Sequence, residues 1–253
     1  MRLCERIGIR IRVLFSLLRV PFGVRAKILT PSETADAVAS GKSLIRIGDG
    51  EMRLMRGLSL GFENPSDGLL SELELVKDTY SRGGEDCPYL LCVPRKFMRA
   101  SALSLMKKRQ YVSSWAEARL YFKRRFSTSV TYGDAFIFSK DYKAECDRIL
   151  GYLKSRPVIF VHNSKECFER FKQMHSGEVH YIACPVEFAY ESIDEIEAEI
   201  YSVAQNNGYK PSDVRLVISA GPCAKPLVMR TSNRGYQAID TGHLFDSPLE
   251  DMK

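Results

Sequence analysis

Long uninterrupted apolar stretches are missing from this chain. No run approaches the ~18–20 apolar residues that a membrane-spanning helix needs. The most apolar region, residues 7–27, is broken by Arg10, Arg12, Arg19 and Arg25. It also lacks the basic start, clean apolar centre and small-residue cleavage site of a secretory signal. Paired cysteines are lacking too: the seven cysteines are an odd number with no CxxC among them. That argues against a disulfide framework or a zinc site, and for reduced core cysteines in a reducing compartment. Internal repeats, low-complexity tracts and long blocks of like charge are absent, which sets aside solenoids and disordered tails. No helix-turn-helix, zinc-finger or RNP-like pattern accompanies the net charge of +6, so no nucleic-acid partner is expected.

What is present is an ordinary globular composition: 253 residues, 45% hydrophobic and 27% charged, enough to bury a sizeable core. The modest positive charge suits an anionic partner such as a phosphate, a nucleotide or a lipid surface. Residues 1–28 form a basic amphipathic segment, and residues 29–253 the main domain. Two readings of the segment stay open. It lies on an anionic membrane surface, holding a cytoplasmic protein at the inner face of the plasma membrane, or it packs as a helix on its own domain.

Apolar runs alternate with helical patterns, the signature of an α/β domain with a mostly parallel sheet. Thr30-Pro31-Ser32-Glu33 predicts a capped helix running to about Ser40 and stopped by Gly41. Strands are expected at Ser43–Gly48, Tyr89–Val93, Ala135–Phe138, Pro157–His162, Val179–Ala183, Val214–Ala220 and Gln237–Asp240. Helices are expected at Val186–Asn206, with isoleucines 193, 196 and 200 at helical spacing, and at Trp115–Arg125. The most basic region gathers Lys107, Lys108, Arg109, Lys123, Arg124 and Arg125. It reads as a solvated face or as a patch for phosphate or membrane.

Three strand-to-turn junctions can hold a ligand, because open α/β sheets bind ligands beyond the carboxyl ends of their strands. In the first, Arg46-Ile47-Gly48-Asp49-Gly50-Glu51, two carboxylates in a glycine-flanked turn can converge on a divalent cation. Hard oxygen ligands suit Mg²⁺ or Mn²⁺, and Arg46 can reach a phosphate. In the second, Ser219-Ala220-Gly221-Pro222-Cys223-Ala224-Lys225, a Gly-Pro turn at a helix start offers backbone N–H groups to phosphate, although the full P-loop pattern is absent. In the third, Asp240-Thr241-Gly242-His243, the histidine can ligate a metal or move a proton. His162-Asn163-Ser164 also follows a strand, and there a helix cap is the better reading.

Together SLIRIGDGE, GDAFIFSK and ISAGPCAKPL…GYQAIDTGH resemble the GT-D type glycosyltransferases. This bacterial family was formerly a domain of unknown function, found with adhesin glycosylation and cell-surface polysaccharide genes. The resemblance spans about Thr30 to Phe245. It implies one Rossmann-like α/β domain, a DxE motif, a divalent metal and a UDP-sugar donor, with glucose the first choice of sugar. Carried over, Asp49 and Glu51 are the DxE carboxylates, catalytic and metal-binding, with His243 as a further metal ligand. Donor-binding residues are Arg46, Gly48, Gly50, Lys140, Gly221, Pro222 and Ala224. The chain departs from the family at Lys140, where an arginine is expected, at His162-Asn163-Ser164, where an acidic-glycine turn is expected, and at Glu187, where a polar asparagine is expected.

The expected function is transfer of a hexose to a cell-surface glycan, a glycoprotein or a lipid-linked acceptor. Asp49, Asp134 and Asp240 are candidates for the base that takes the acceptor proton. Two rivals remain at this level: a metal-dependent phosphohydrolase with Asp49 as nucleophile, disfavoured because Met52-Arg53 follows Glu51 where an Asp-x-Asp-x-Thr run belongs, and a non-catalytic nucleotide-sugar binder.

Overall fold

The computed structural model of the protein describes residues 3–107 and 112–246; Lys108 and Arg109 of the basic region lie outside them. The chain opens with α1 (Leu3–Arg19), β1 (Lys27–Ile28), α2 (Pro31–Ala39), β2 (Ser43–Arg46), α3 (Asp49–Leu54) and α4 (Asp67–Gly83). It continues through β3 (Tyr89–Val93), α5 (Arg95–Met98), α6 (Ala102–Lys107), α7 (Val112–Arg125), β4 (Thr131–Asp134) and α8 (Lys143–Leu153). The last third holds β5 (Val158–His162), α9 (Lys165–Met174), β6 (Val179–Ala183), α10 (Ile193–Asn206), β7 (Arg215–Ser219), α11 (Ala224–Ser232) and β8 (Gln237–Asp240).

Every strand pairing is parallel, in the order β1-β4-β3-β2-β8-β7-β5-β6. Parallel strands covered by helices on both faces are apolar throughout, and β3 and β5 are buried at all five positions. The order runs outward from β2 in one direction and from β5 in the other, and β7 and β8 return to fill the gap. Ligand crevices form where strand order reverses. Here that brings the ends of β2, β8 and β7 side by side, the three junctions singled out in the sequence.

Local chemistry sets several boundaries. Thr30 accepts the Glu33 amide (3.2 Å), and Glu33 accepts the Thr30 amide (2.7 Å), so α2 starts on a reciprocal cap. Ser164 caps α9 through the Cys167 amide at 3.3 Å, the structural role expected of that turn.

Two expectations are corrected. The apolar run Ala135–Phe138 is not a strand; β4 is the preceding Thr131–Asp134, and residues 135–138 form its turn. Asp134 ends the strand by accepting the Phe136 amide (3.0 Å) on its side chain, an Asx turn that hydrophobicity alone cannot reveal. Gly133 fits the strand because a Cβ there would lie 2.4 Å from Cys92 Sγ, against the neighbouring β3. The second correction concerns residues 186–192, which are not α-helical. Phe188 sits at φ 53°, a left-handed conformation, followed by a short 3₁₀ turn, so α10 begins at Ile193.

The N-terminal helix α1 packs along α7. Leu17 and Val20 are buried there, and the buried Arg119 of α7 donates to the Val20 carbonyl at 2.7 Å. No helix among the described residues is long and apolar enough to cross a membrane.

Candidate active site

Beyond the ends of β2, β7 and β8 lies a cleft of about 510 Å³, within the range of small-molecule sites. Its floor is the first junction. Gly48 is extended, and α3 begins directly at Asp49. The predicted tight turn is therefore a helix start. Glu51, at its third position, reaches back so that Oε2 accepts the Gly48 amide at 2.7 Å.

The other Glu51 oxygen, Oε1, lies 3.0 Å from Lys225 Nζ. Lys225 is buried on α11, and its ammonium also meets Asp240 Oδ2 (3.1 Å) and the Gly221 carbonyl (2.9 Å). All three of its protons are thus directed, one to each junction. Burial works against the charged amine, but Asp240 and Glu51 outweigh it and hold the Lys225 pKa above its ordinary value. The three junctions form one electrostatic unit around this cation.

Asp240 is fully enclosed. It accepts the Arg46 amide (3.1 Å) and the Gly242 amide (3.2 Å), and the Arg46 guanidinium stands 3.7 Å away. An enclosed carboxylate already paired with two cations is no general base, which corrects that expectation. Asp134 is likewise buried, does not line the cleft, and accepts the Arg95 and Phe136 amides. Its role is structural, and burial raises its pKa.

Arg46 lines the cleft, donates to the Ala135 carbonyl at 3.2 Å and lies over the Phe138 ring at 5.7 Å. Its guanidinium lies against Gly242. A Cβ at residue 242 would lie 1.6 Å from Nη2, and φ there is +53°. Glycine is required at this position on both counts.

Asp49 also lines the cleft and accepts the Ser114 hydroxyl of α7. Burial, reinforced by the charge of Glu51, pushes its pKa up. At the opposite lip, His243 Nδ1 is 2.5 Å from Asp246 Oδ2. Asp246 Oδ1 lies 3.3 Å from His162 Nε2, out of line for a hydrogen bond. His162 Nδ1 accepts the Ser164 amide (3.0 Å), so Nε2 carries the proton and faces Asp246. Burial keeps the His162 pKa below the usual histidine range.

Of the predicted site residues, the structure brings Arg46, Gly48, Asp49, Gly50, Glu51, Gly221, Pro222 and His243 to one cleft. It does not bring Lys140 or Ala224 to the lining. Lys140 sits in a 3₁₀ turn beyond the β4 turn, and Ala224 is wholly buried where α11 enters the core. Asp49, Glu51 and His243 are not gathered into one coordination sphere. Among the described residues, the ligand atoms that do cluster, all within 4.8 Å, are those of His162, Cys167 and Asp246. The protonated His162 Nε2 and an Arg170 nitrogen 3.1 Å from Cys167 Sγ make that group unsuited to a cation.

The cleft walls are residues that sequence patterns did not single out as site residues. Trp115 of α7 lines it, stacked on Phe97 (4.4 Å between centroids) and edge-on to Phe136. Across from it, the Phe188 amide donates to the Phe62 carbonyl at 2.9 Å, closing the loop around residue 62 onto the segment before α10. Tyr190 and the Arg230–Glu72–Asp194–Glu197 network brace that wall. Trp115 carried one signal, as the chain's single tryptophan in an otherwise basic helix; Asp246 carried none beyond lying three residues after His243.

Comparison with known proteins shows the family and the fold. The family model described as the glycosyltransferase GT-D fold matches residues 44–250. Over 242 residues the chain is 26% identical to glycosyltransferase GlyD of Streptococcus pneumoniae serotype 4 (strain ATCC BAA-334 / TIGR4), covering 87% of this chain and 27% of that protein. The chain thus spans about a quarter of that curated relative's length. Two solved structures share the fold. One is described as the highly conserved domain of unknown function 1792 with a distinct glycosyltransferase fold (TM-score 0.69, 22% identity, 92% of this chain and 82% of that one). The other is a new glycosyltransferase of the same domain type from Streptococcus sanguinis (TM-score 0.70, 20% identity, 87% of this chain and 82% of that one).

Proposed function

Since the chain belongs to the GT-D-fold glycosyltransferase family, we propose that it transfers a hexose from a UDP-sugar in the cleft at the ends of β2, β7 and β8. The observation that carries this reading is the pairing of two carboxylates, Asp49 and Glu51, with Arg46 and Lys225 in one cleft of about 510 Å³. Such a mixed-sign floor suits a diphosphate bound together with a cation. Glucose as the sugar rests on the family resemblance alone.

Asp49 and Glu51 offer Mn²⁺ or Mg²⁺ the one or two protein carboxylates these ions commonly take, Glu51 through the lone pairs left by the Gly48 amide and Lys225, with water and phosphate completing the shell. Asp49 and Glu51 would hold the ion, and it would supply charge stabilisation for the departing diphosphate. His243 faces Asp246 and serves better at the sugar or acceptor side. Arg46 orients the diphosphate from the β2 end. Glu51 keeps its place through the Gly48 amide and Lys225, so its carboxylate is oriented before any ligand arrives. Trp115 and Phe62 exclude water from the flanks. As the anomeric carbon gains its bond to the acceptor oxygen and loses the one to the diphosphate, the hydroxyl proton passes to a carboxylate. Asp246, partly exposed and lining the cleft, is placed for that task better than Asp134 or Asp240.

The acceptor is proposed to be a cell-surface glycan, a glycoprotein or a lipid-linked sugar, and the enzyme to act in the cytoplasm. A panel of nucleotide sugars, with and without Mn²⁺, tests the reading. Thermal stabilisation by a UDP-sugar followed by appearance of UDP and a glycosylated or hydrolysed product supports it. Stabilisation without any turnover leaves a binding protein instead.

A further inference from the structure

The side of α1 that turns away from α7 is apolar. Ile7, Ile11, Leu14, Leu18 and Phe22 follow one another at intervals of four, three, four and four residues. They are 48%, 62%, 56%, 70% and 88% exposed. Spacing of this kind places side chains on one helical stripe, and Phe22 continues it beyond the helix end. The stripe extends onto a second element. The Ala102 amide donates to the Pro21 carbonyl (2.8 Å), clamping the start of α6 beside this turn, and the next residue, Leu103, is 69% exposed.

Charge identifies what covers this face. Residues 7–27 hold five basic side chains and no acidic one. Where α1 meets α7, a groove of about 230 Å³ beside Phe15 is lined by Arg12, Arg56 and Arg124, with Glu117 the only acidic residue among the described residues that line it. Glu117 pairs with two of these arginines, Arg12 at 3.3 Å and Arg56 at 2.7 Å, so the groove lining carries three guanidinium groups against one carboxylate. An exposed apolar stripe rimmed by cations matches the layering of an anionic bilayer, apolar below and phosphate above. A second copy of the chain would set the same arginines against one another.

We propose that α1, the Phe22 turn and α6 form a docking surface for an anionic phospholipid membrane. The apolar stripe enters the interface, and the arginines beside it meet the lipid phosphates. This surface is separate from the cleft, but α7 joins the two: one side packs on α1, and its N-terminal turns bring Ser114 to Asp49 and Trp115 to the cleft.

Vesicle pelleting with the full chain tests this, and because it reads binding, its failure leaves the sugar-transfer reading untouched. The wild type is expected on vesicles of phosphatidylcholine with phosphatidylglycerol, and not on phosphatidylcholine alone, with binding weakened by salt. Leu14→Glu/Leu18→Glu should abolish binding while leaving the thermal midpoint intact. Arg10→Gln/Arg25→Gln, which changes two exposed side chains, should weaken it by more than about tenfold. Absence of binding to the anionic vesicles overturns the proposal, as does binding unchanged in both variants. A wild-type dimer in sedimentation velocity that Leu14→Glu/Leu18→Glu converts to monomer overturns it in favour of self-association.

Discussion

Lys225 Nζ and Glu51 Oε1 stand 3.0 Å apart, joining the helix after β7 to the helix after β2. This pair, with Asp240 at 3.1 Å, makes a buried cation the hub of the three strand ends. Lys225, which stands in the sequence only as the last residue of the Gly-Pro junction, holds the Glu51 carboxylate in place.

Lys225→Met is therefore expected to destabilise the fold by about 3–5 kcal/mol, the cost of leaving buried carboxylates without their cation. Urea denaturation at neutral pH measures it. The Lys225 pKa is held high, so this stabilisation is fully present below the ordinary lysine value of 10.5 and is lost only as pH rises through the higher folded value.

Gly242→Ala should displace the Arg46 guanidinium, because the new methyl would sit 1.6 Å from Nη2 at a positive φ. Transfer is expected to fall at least about tenfold, mainly through a raised donor KM, as Arg46 loses its aim at the diphosphate. Unchanged steady-state kinetics would remove Arg46 from the site.

His162 is buried neutral, with its pKa depressed by burial. The unfolded chain therefore binds a proton that the folded one resists, and stability should fall as pH drops below 6.5 until the lower folded value is passed. His162→Phe, which keeps the stack on Phe160, should flatten that pH dependence in urea midpoints taken between pH 7.5 and about 5.5.

Thr30→Ala removes one half of the reciprocal cap on α2 and should cost about 1 kcal/mol with no change in activity. Thermal denaturation checks the first point and a transfer assay the second.

How much of this was legible in the sequence depends on what each feature rests on. The α2 cap, the buried strands β3 and β5 and the places of the three junctions are local patterns and were legible in the sequence, although the turn read at Asp49-Gly50 is the start of α3. The turn at residues 135–138 was hidden because its four apolar residues look like a strand, while the Asx bond from Asp134 that ends β4 leaves no periodic trace. Lys225, Trp115 and Asp246 did not stand out as parts of a site for a different reason. Each acquires its role from a partner far along the chain: Glu51 for Lys225, the cleft wall for Trp115, and His162 for Asp246. Ala224 was misplaced because its glycine-proline turn starts a helix that dives into the core.

Asp49 and Glu51 are proposed to bind a divalent ion and a UDP-sugar together. Burial raises the Asp49 pKa above its ordinary value, so protons compete with a cation for this carboxylate at a higher pH than they would for a free aspartate. The direct measurement is calorimetric titration of UDP into the protein with and without Mn²⁺, for the wild type, Asp49→Asn and Glu51→Gln. Mn²⁺-dependent binding is expected in the wild type, weakening as pH falls towards the raised Asp49 value, with loss of the Mn²⁺ dependence in both variants. Equal UDP affinity with and without Mn²⁺ in the wild type, or undiminished Mn²⁺ dependence in Asp49→Asn, would contradict it.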